Sequence, residues 1–212
     1  MSEYNCFIEV PFQNRHQCWF CGEPAASHFT FPHQAHVIFD CPHPKLTVPS
    51  CSECSDAALK AKVRSIWQVS QQVKKFLMRK YKKDLAIGLN WTREELADAG
   101  FEDGSFSGFQ KSAWFMYEVA KQRVNFFGWP LILDGVEITS EGDSESFNFD
   151  GVCYPSIEEA IEYYCDNFRL DSVFFRQILA KTGPDKFAQA VRFCRLYIAA
   201  TPAEKSRALH DF

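Results

Sequence analysis

The chain has 212 residues, of which 46% are hydrophobic and 16% aromatic, with nine cysteines and a formal net charge of −4. It is long and apolar enough to bury a real core, so it is neither a disordered chain nor a polycation. The N-terminal MSEYNCFIEV has no basic and apolar leader, no apolar run reaches the length of a membrane span, and an odd cysteine count argues against a disulfide framework. The expectation is a cytoplasmic protein with reduced thiols and no membrane partner.

The charge is unevenly spread. Residues 52–84 hold nine Lys/Arg against three Asp/Glu, whereas residues 85–212 hold twelve against twenty. A local basic surface is therefore expected on a chain that is acidic elsewhere.

In chain order, Cys6–Phe12 reads as a short strand. Cys18-Trp19-Phe20-Cys21 follows, and Gly22 stands where a tight knuckle needs a positive φ. Cys51-Ser52-Glu53-Cys54 comes after a 29-residue insert. Each Cys-x-x-Cys pair can offer two thiolates to one ion, and two pairs complete the tetrahedral sulfur shell that suits Zn²⁺. Cys18, Cys21, Cys51 and Cys54 are thus the expected ligands of a structural zinc. The spacing leaves open whether Cys41 or His43 replaces one of them. Within the insert, His28–Phe31 and Ala35–Phe39 look like the arms of a hairpin, and Leu46–Ser50 leads into the second pair. Knuckle, hairpin, knuckle and helix is the order of a treble-clef module.

Ser52–Tyr81 contains no Gly or Pro and reads as one long helix, with Gly88 as the stop signal beyond it. Leu59, Val63, Ile66, Val73 and Leu77 mark its apolar stripe. Lys60, Arg64, Gln68, Gln71, Lys75, Arg79 and Lys82 fall on another face. A helix of roughly 30 residues is about 45 Å long, enough to set cations along a nucleic-acid backbone. These seven residues are the expected nucleic-acid-binding set, acting mainly on phosphates.

Thr92 and Glu95 form a capping box, and Ser107 with Gln110 forms another ahead of a helix over Gly108–Phe127. Pro130–Ile138 and Phe147–Tyr154 read as two hairpins turned on Asp134-Gly135 and Asp150-Gly151, able to pair into one small sheet. Helices are expected from Ser156 to Phe168, from Asp171 to Thr182, and from Pro184 to Ala200, with a short last one capped by Thr201-Pro202. The fold class is α+β: an N-terminal treble-clef zinc module with a long basic helix over residues 1–88, then a mostly α-helical domain with small antiparallel hairpins over 89–212.

Three segments, CWFCGEPA, AHVIF and LTVPSCSECS, resemble the HNH endonuclease-like zinc fold across residues 16–62. By position His36 matches the residue that, in that family, activates water or binds a catalytic metal. The resemblance therefore implies a zinc-organised DNA-binding fold, with a Mg²⁺- or Mn²⁺-dependent nuclease using His36 as one outcome. The match departs from the family pattern at Ala35, where an acidic residue is usual, at Phe39, where proline is usual, and at Ser55, where asparagine is usual. The favoured expectation is a zinc-binding HNH-like protein that binds nucleic acid, DNA first, without a robust catalytic set. A protein-interaction adaptor, docking a partner through the acidic C-terminal domain, is the third alternative. DGVCYPSIEEAIEYY also resembles, over a short stretch, the modular DNA-binding repeats attached to homing nucleases. That likeness makes residues 172–182 a recognition helix, but they offer only Arg176, Gln177 and Lys181 behind an acidic helix, so a structural bundle is the expectation.

Overall fold

In the computed structural model, which describes residues 6–34, 38–98, 104–139 and 146–211, the front of the chain builds a three-stranded sheet. Its strands are β1 (Cys6–Phe7), β2 (Ser27–Phe31) and β3 (Leu46–Ser50), in the order β1-β3-β2. β1 runs parallel to β3, and β2 runs antiparallel to it, pairing Ser27 with Ser50 and Phe31 with Leu46. The described hairpin partner of β2 is Leu46–Ser50. Of the expected arm Ala35–Phe39, residues 35–37 lie outside the described residues, and residues 38–40 form a turn. The first strand is also shorter than Cys6–Phe12. All five residues of β3 are buried, which makes this strand the centre of the sheet. Pro49 fits there because its carbonyl accepts from Trp19 N–H at 2.9 Å. Its missing N–H faces the same side, beyond the end of β1, where no strand asks for it.

The single helix expected over Ser52–Tyr81 is two shorter ones, α1 (Ser52–Ala58) and α2 (Ile66–Lys80), and α3 (Lys82–Asn90) follows directly. The chain leaves α1 in a tight turn, with Ala61 N–H bonded to Ala58 C=O. It re-enters a helix at Ser65, whose hydroxyl accepts from Gln68 N–H at 3.3 Å. That is an N-cap. A second bond reinforces it: His43 Nε2 accepts from Ile66 N–H at 2.9 Å. The α2 stripe of Ile66, Val69, Val73 and Leu77 is fully buried, whereas Leu59, now outside any helix, is exposed.

Gly88 is no stop signal, because α3 continues to Asn90. A Cβ at Gly88 would sit 2.1 Å from the Tyr117 ring, so the glycine permits the close approach of α5 (Gly104–Asn125). α5 starts before the expected Ser107 cap. It packs on both α2 and α3. Between them α4 (Arg93–Asp98) carries the expected Thr92–Glu95 capping box, with bonds of 2.8 and 3.1 Å. The hairpin of β4 (Leu131–Leu133) and β5 (Val136–Ile138) turns on Asp134 and Gly135, both at positive φ as a type I′ turn requires. Glu9 N–H bonds Ile132 C=O, tying this hairpin back to the front segment.

The chain divides into two compact units, Met1–Asp143 and Ser144–Phe212. The boundary expected near residue 88 falls inside the first unit, because α5 is packed on the helices before that point. The second unit holds β6 (Phe147–Phe149), β7 (Val152–Tyr154), α6 (Ile157–Phe168), α7 (Ser172–Thr182), α8 (Phe187–Leu196) and α9 (Pro202–Asp211). The β6–β7 hairpin is a sheet of its own and does not join β4–β5. Phe187 is the hub of this unit: its ring lies 4.7 to 5.4 Å from those of Phe147, Phe149, Tyr164 and Phe175. α7, the alternative recognition helix, spends its cations internally. Arg176 bonds Glu158 of α6, and Lys181 bonds the Leu209 carbonyl in α9. Among the described residues no helix is long and apolar enough to cross a membrane.

Candidate metal centre and basic face

Cys18, Cys21, Cys51 and Cys54 converge as their spacing requires, with all four sulfurs within 4.8 Å of one another. Two local devices build the site. In the first pair, Cys18 N–H bonds Glu23 C=O at 2.7 Å and Gly22 N–H bonds Cys18 C=O at 2.9 Å. Gly22 closes that turn at φ 75°. In the second pair, Cys51 is the N-cap of α1, its sulfur accepting from Cys54 N–H at 3.5 Å. Cys18, Cys21 and Cys54 are buried residues, while Cys51 is partly exposed with its sulfur turned into the cluster.

The donor set fits a soft divalent ion such as zinc. A regular ZnS₄ tetrahedron with Zn–S of about 2.3 Å has edges of roughly 3.8 Å. The Cys21 and Cys51 sulfurs stand 3.8 Å apart. The sulfurs also cannot all ionise without a cation. Hydrogen bonding, first from Cys18, pulls the Cys51 thiol far below its ordinary value and brings Cys21 down to about 7. Cys18 is pushed up by its bond to Cys21, and Cys54 by its bond to Cys18. A positive ion at the centre removes that conflict. Cys41 stands apart from the cluster, its thiol raised by burial. His43 spends both ring nitrogens elsewhere, on Ile66 N–H and on the Pro44 carbonyl at 2.8 Å. Neither replaces one of the four.

Sequence reasoning missed the group against the sulfurs. Arg123, buried in α5, places Nη2 at 3.7 Å from Cys21 Sγ. The same guanidinium bonds Glu53, which sits between Cys51 and Cys54, and also the Tyr81 hydroxyl. Lys80 is the second cation on Glu53. Burial alone would raise the Glu53 carboxyl; the bonds from Lys80 and Arg123 outweigh it and hold Glu53 below the usual carboxylate value.

The histidines near the site are engaged in the fold. His28 stands edge-on to Phe7, and His33 Nε2 lies 3.1 Å from the Leu59 carbonyl. His36, the residue on which the nuclease alternative rests, lies outside the described residues.

Of the expected nucleic-acid set, Gln68, Gln71, Lys75 and Arg79 fall on successive turns of α2, opposite its buried stripe. Lys60 and Arg64 lie in the link between α1 and α2, both exposed, and Lys82 opens α3. Arg64, Gln68 and Gln71 join Lys62, Val63 and Gln72 around an open groove of about 540 Å³. Lys62 and Gln72 were not among the expected residues, although Lys62 belongs to the same basic segment. Lys74, also in α2, turns inward with its ammonium 3.3 Å from the Phe127 ring centroid, a cation–π contact. Comparisons with protein-family models, with curated proteins and with solved structures give no match.

Proposed function

We infer that this chain is a zinc-ordered, treble-clef-like module that binds nucleic acid, DNA first, through the groove at the start of α2 and the outer face that runs from it along the helix. The observation that carries the reading is the groove itself: two cations and three amide side chains around one open cleft, with no carboxylate in its lining. Cations on a cleft hold phosphates, and amides are donors and acceptors at the spacing of base edges. The link to zinc is mechanical. α2 packs against α1, whose first turn carries two of the four cysteines. An ion on those sulfurs would fix α1, and through it the face that α2 presents. The order of knuckle, antiparallel hairpin and helix supports the HNH-like likeness, but no described residue supplies a reason to prefer cutting over binding.

The test is binding of a labelled duplex DNA across a salt series. The wild-type chain should lose affinity steeply as salt rises. Lys62→Glu with Arg64→Glu, and separately Lys75→Glu with Arg79→Glu, should each weaken binding at least tenfold and flatten the salt slope by about 2. Unchanged affinity in both double variants would overturn the reading. Divalent-ion-dependent nicking abolished by His36→Ala would replace it with the nuclease.

A further inference from the structure

We propose that Arg123 is the counter-cation of the sulfur centre, a positioning residue rather than a ligand, and that it joins α5 to the metal. The proposal rests on the reading that the four cysteines hold a divalent ion. Four thiolates around such an ion carry a net charge of −2, and a net charge away from water is costly unless it is met by donors or an opposite charge. Among the described residues the sulfurs take backbone donors, such as the Glu23 N–H on Cys21, and two further donors matter here. One is the Cys54 N–H on Cys51. The other is the Arg123 guanidinium on Cys21, a full positive charge 7% exposed.

The aim of that guanidinium is over-determined. Nη2 bonds Glu53, and Nη1 bonds the Tyr81 hydroxyl. Its central carbon lies 4.8 Å from the Tyr81 ring centroid. Glu53 belongs to the same turn as two of the ligands, so the loop that holds the ion also holds the residue that balances it. A guanidinium keeps its charge at any working pH and offers a planar fork. One edge can therefore serve carboxylate and sulfur together, which a lysine ammonium does less well. Arg123 is the contact by which α5 reaches the centre, although α5 supplies no ligand.

The experiment uses the full chain loaded with zinc, and in parallel with cobalt. Zinc affinity is read by competition with a chromophoric chelator, and sulfur donation by the energy of the sulfur-to-cobalt charge-transfer band. Arg123→Met should weaken zinc binding by about 10- to 100-fold and move the band to lower energy, since the Cys21 sulfur loses its charged donor. Arg123→Lys should recover part of both. Glu53→Gln keeps Arg123 and loosens its aim, so it should give a smaller loss in the same direction. It also keeps the proposal testable if Arg123→Met fails to fold. A merely structural Arg123 would lower thermal stability and leave affinity and band energy at wild-type values in the folded variants; that result would overturn the proposal. Failure of the wild-type chain to take up either metal would instead remove the metal reading beneath it.

Discussion

The two compact units are organised around different kinds of centre. In the first, four thiols meet under a small sheet, and the helices that follow are hung from one of the knuckles. In the second, Phe187 collects four aromatic rings, and the centre is complete as it stands. The sulfur centre is an electrostatic conflict that an ion resolves; the aromatic centre is only apolar area removed from water. One unit should therefore depend on a metal and the other should be indifferent to it.

Removing the metal is the strongest way to break that comparison. Structural zinc in isolated finger peptides supplies about 10–16 kcal/mol, as much as a whole domain's stability of about 5–15 kcal/mol. Chelation, or Cys51→Ser with Cys54→Ser, should abolish slow amide exchange in β2, β3, α1, α2, α3 and α5. Protection should persist in α6, α7 and α8. Hydrogen exchange read by mass spectrometry would decide. Equal loss in both units, or no loss in either, would show that the contrast is mistaken. The converse experiment is Phe187→Ala. Truncating a fully buried aromatic costs about 3–5 kcal/mol. It should melt the second unit at a lower temperature while metal content per chain stays as in the wild type.

Sequence legibility followed the range of the interactions. The convergence of the four cysteines is legible because each pair is set by its own turn. The hairpins on Asp134-Gly135 and Asp150-Gly151 were legible because positive φ at adjacent positions is a local demand. Both capping boxes in the middle segment were visible, yet only Thr92–Glu95 starts a helix; Ser107 falls inside α5. The break between α1 and α2 has a local signal, the capping-box spacing of Ser65-Ile66-Trp67-Gln68, but with no Gly or Pro the stretch still reads as one helix. Leu46–Ser50 reads from the sequence only as the lead into the second pair, because what makes it the central strand is its pairing with the distant β1 and β2. Gly88 reads as a stop signal because Tyr117, the ring it accommodates, lies on another helix. Arg123 was out of reach for a stronger reason. It stands 102 residues from Cys21, and no periodicity in α5 distinguishes it from a surface arginine.

The smallest effect sharpens the same contrast at the helix starts. In the second unit, α6 and α7 are capped by the residues just before them, Ser156 and Asp171. In the first, α2 adds to its local Ser65 cap a distant acceptor, His43 Nε2. Burial pushes the His43 imidazole below its ordinary value, against the opposing pull of the Pro44 carbonyl. The folded state therefore binds the proton less readily than the unfolded chain. The contribution is full above the unfolded value of 6.5 and falls as pH drops from there toward the lower folded value. His43→Phe keeps a ring against Trp67, 5.1 Å away, and leaves Ile66 N–H without its acceptor. It should cost about 1–3 kcal/mol at pH 7.5 by urea unfolding of the metal-loaded chain. The gap between wild type and variant should narrow at pH 5.5, because the wild type has by then lost part of what His43 supplies. A gap that stays constant or widens on acidification would show that the ring packs there without serving as a cap.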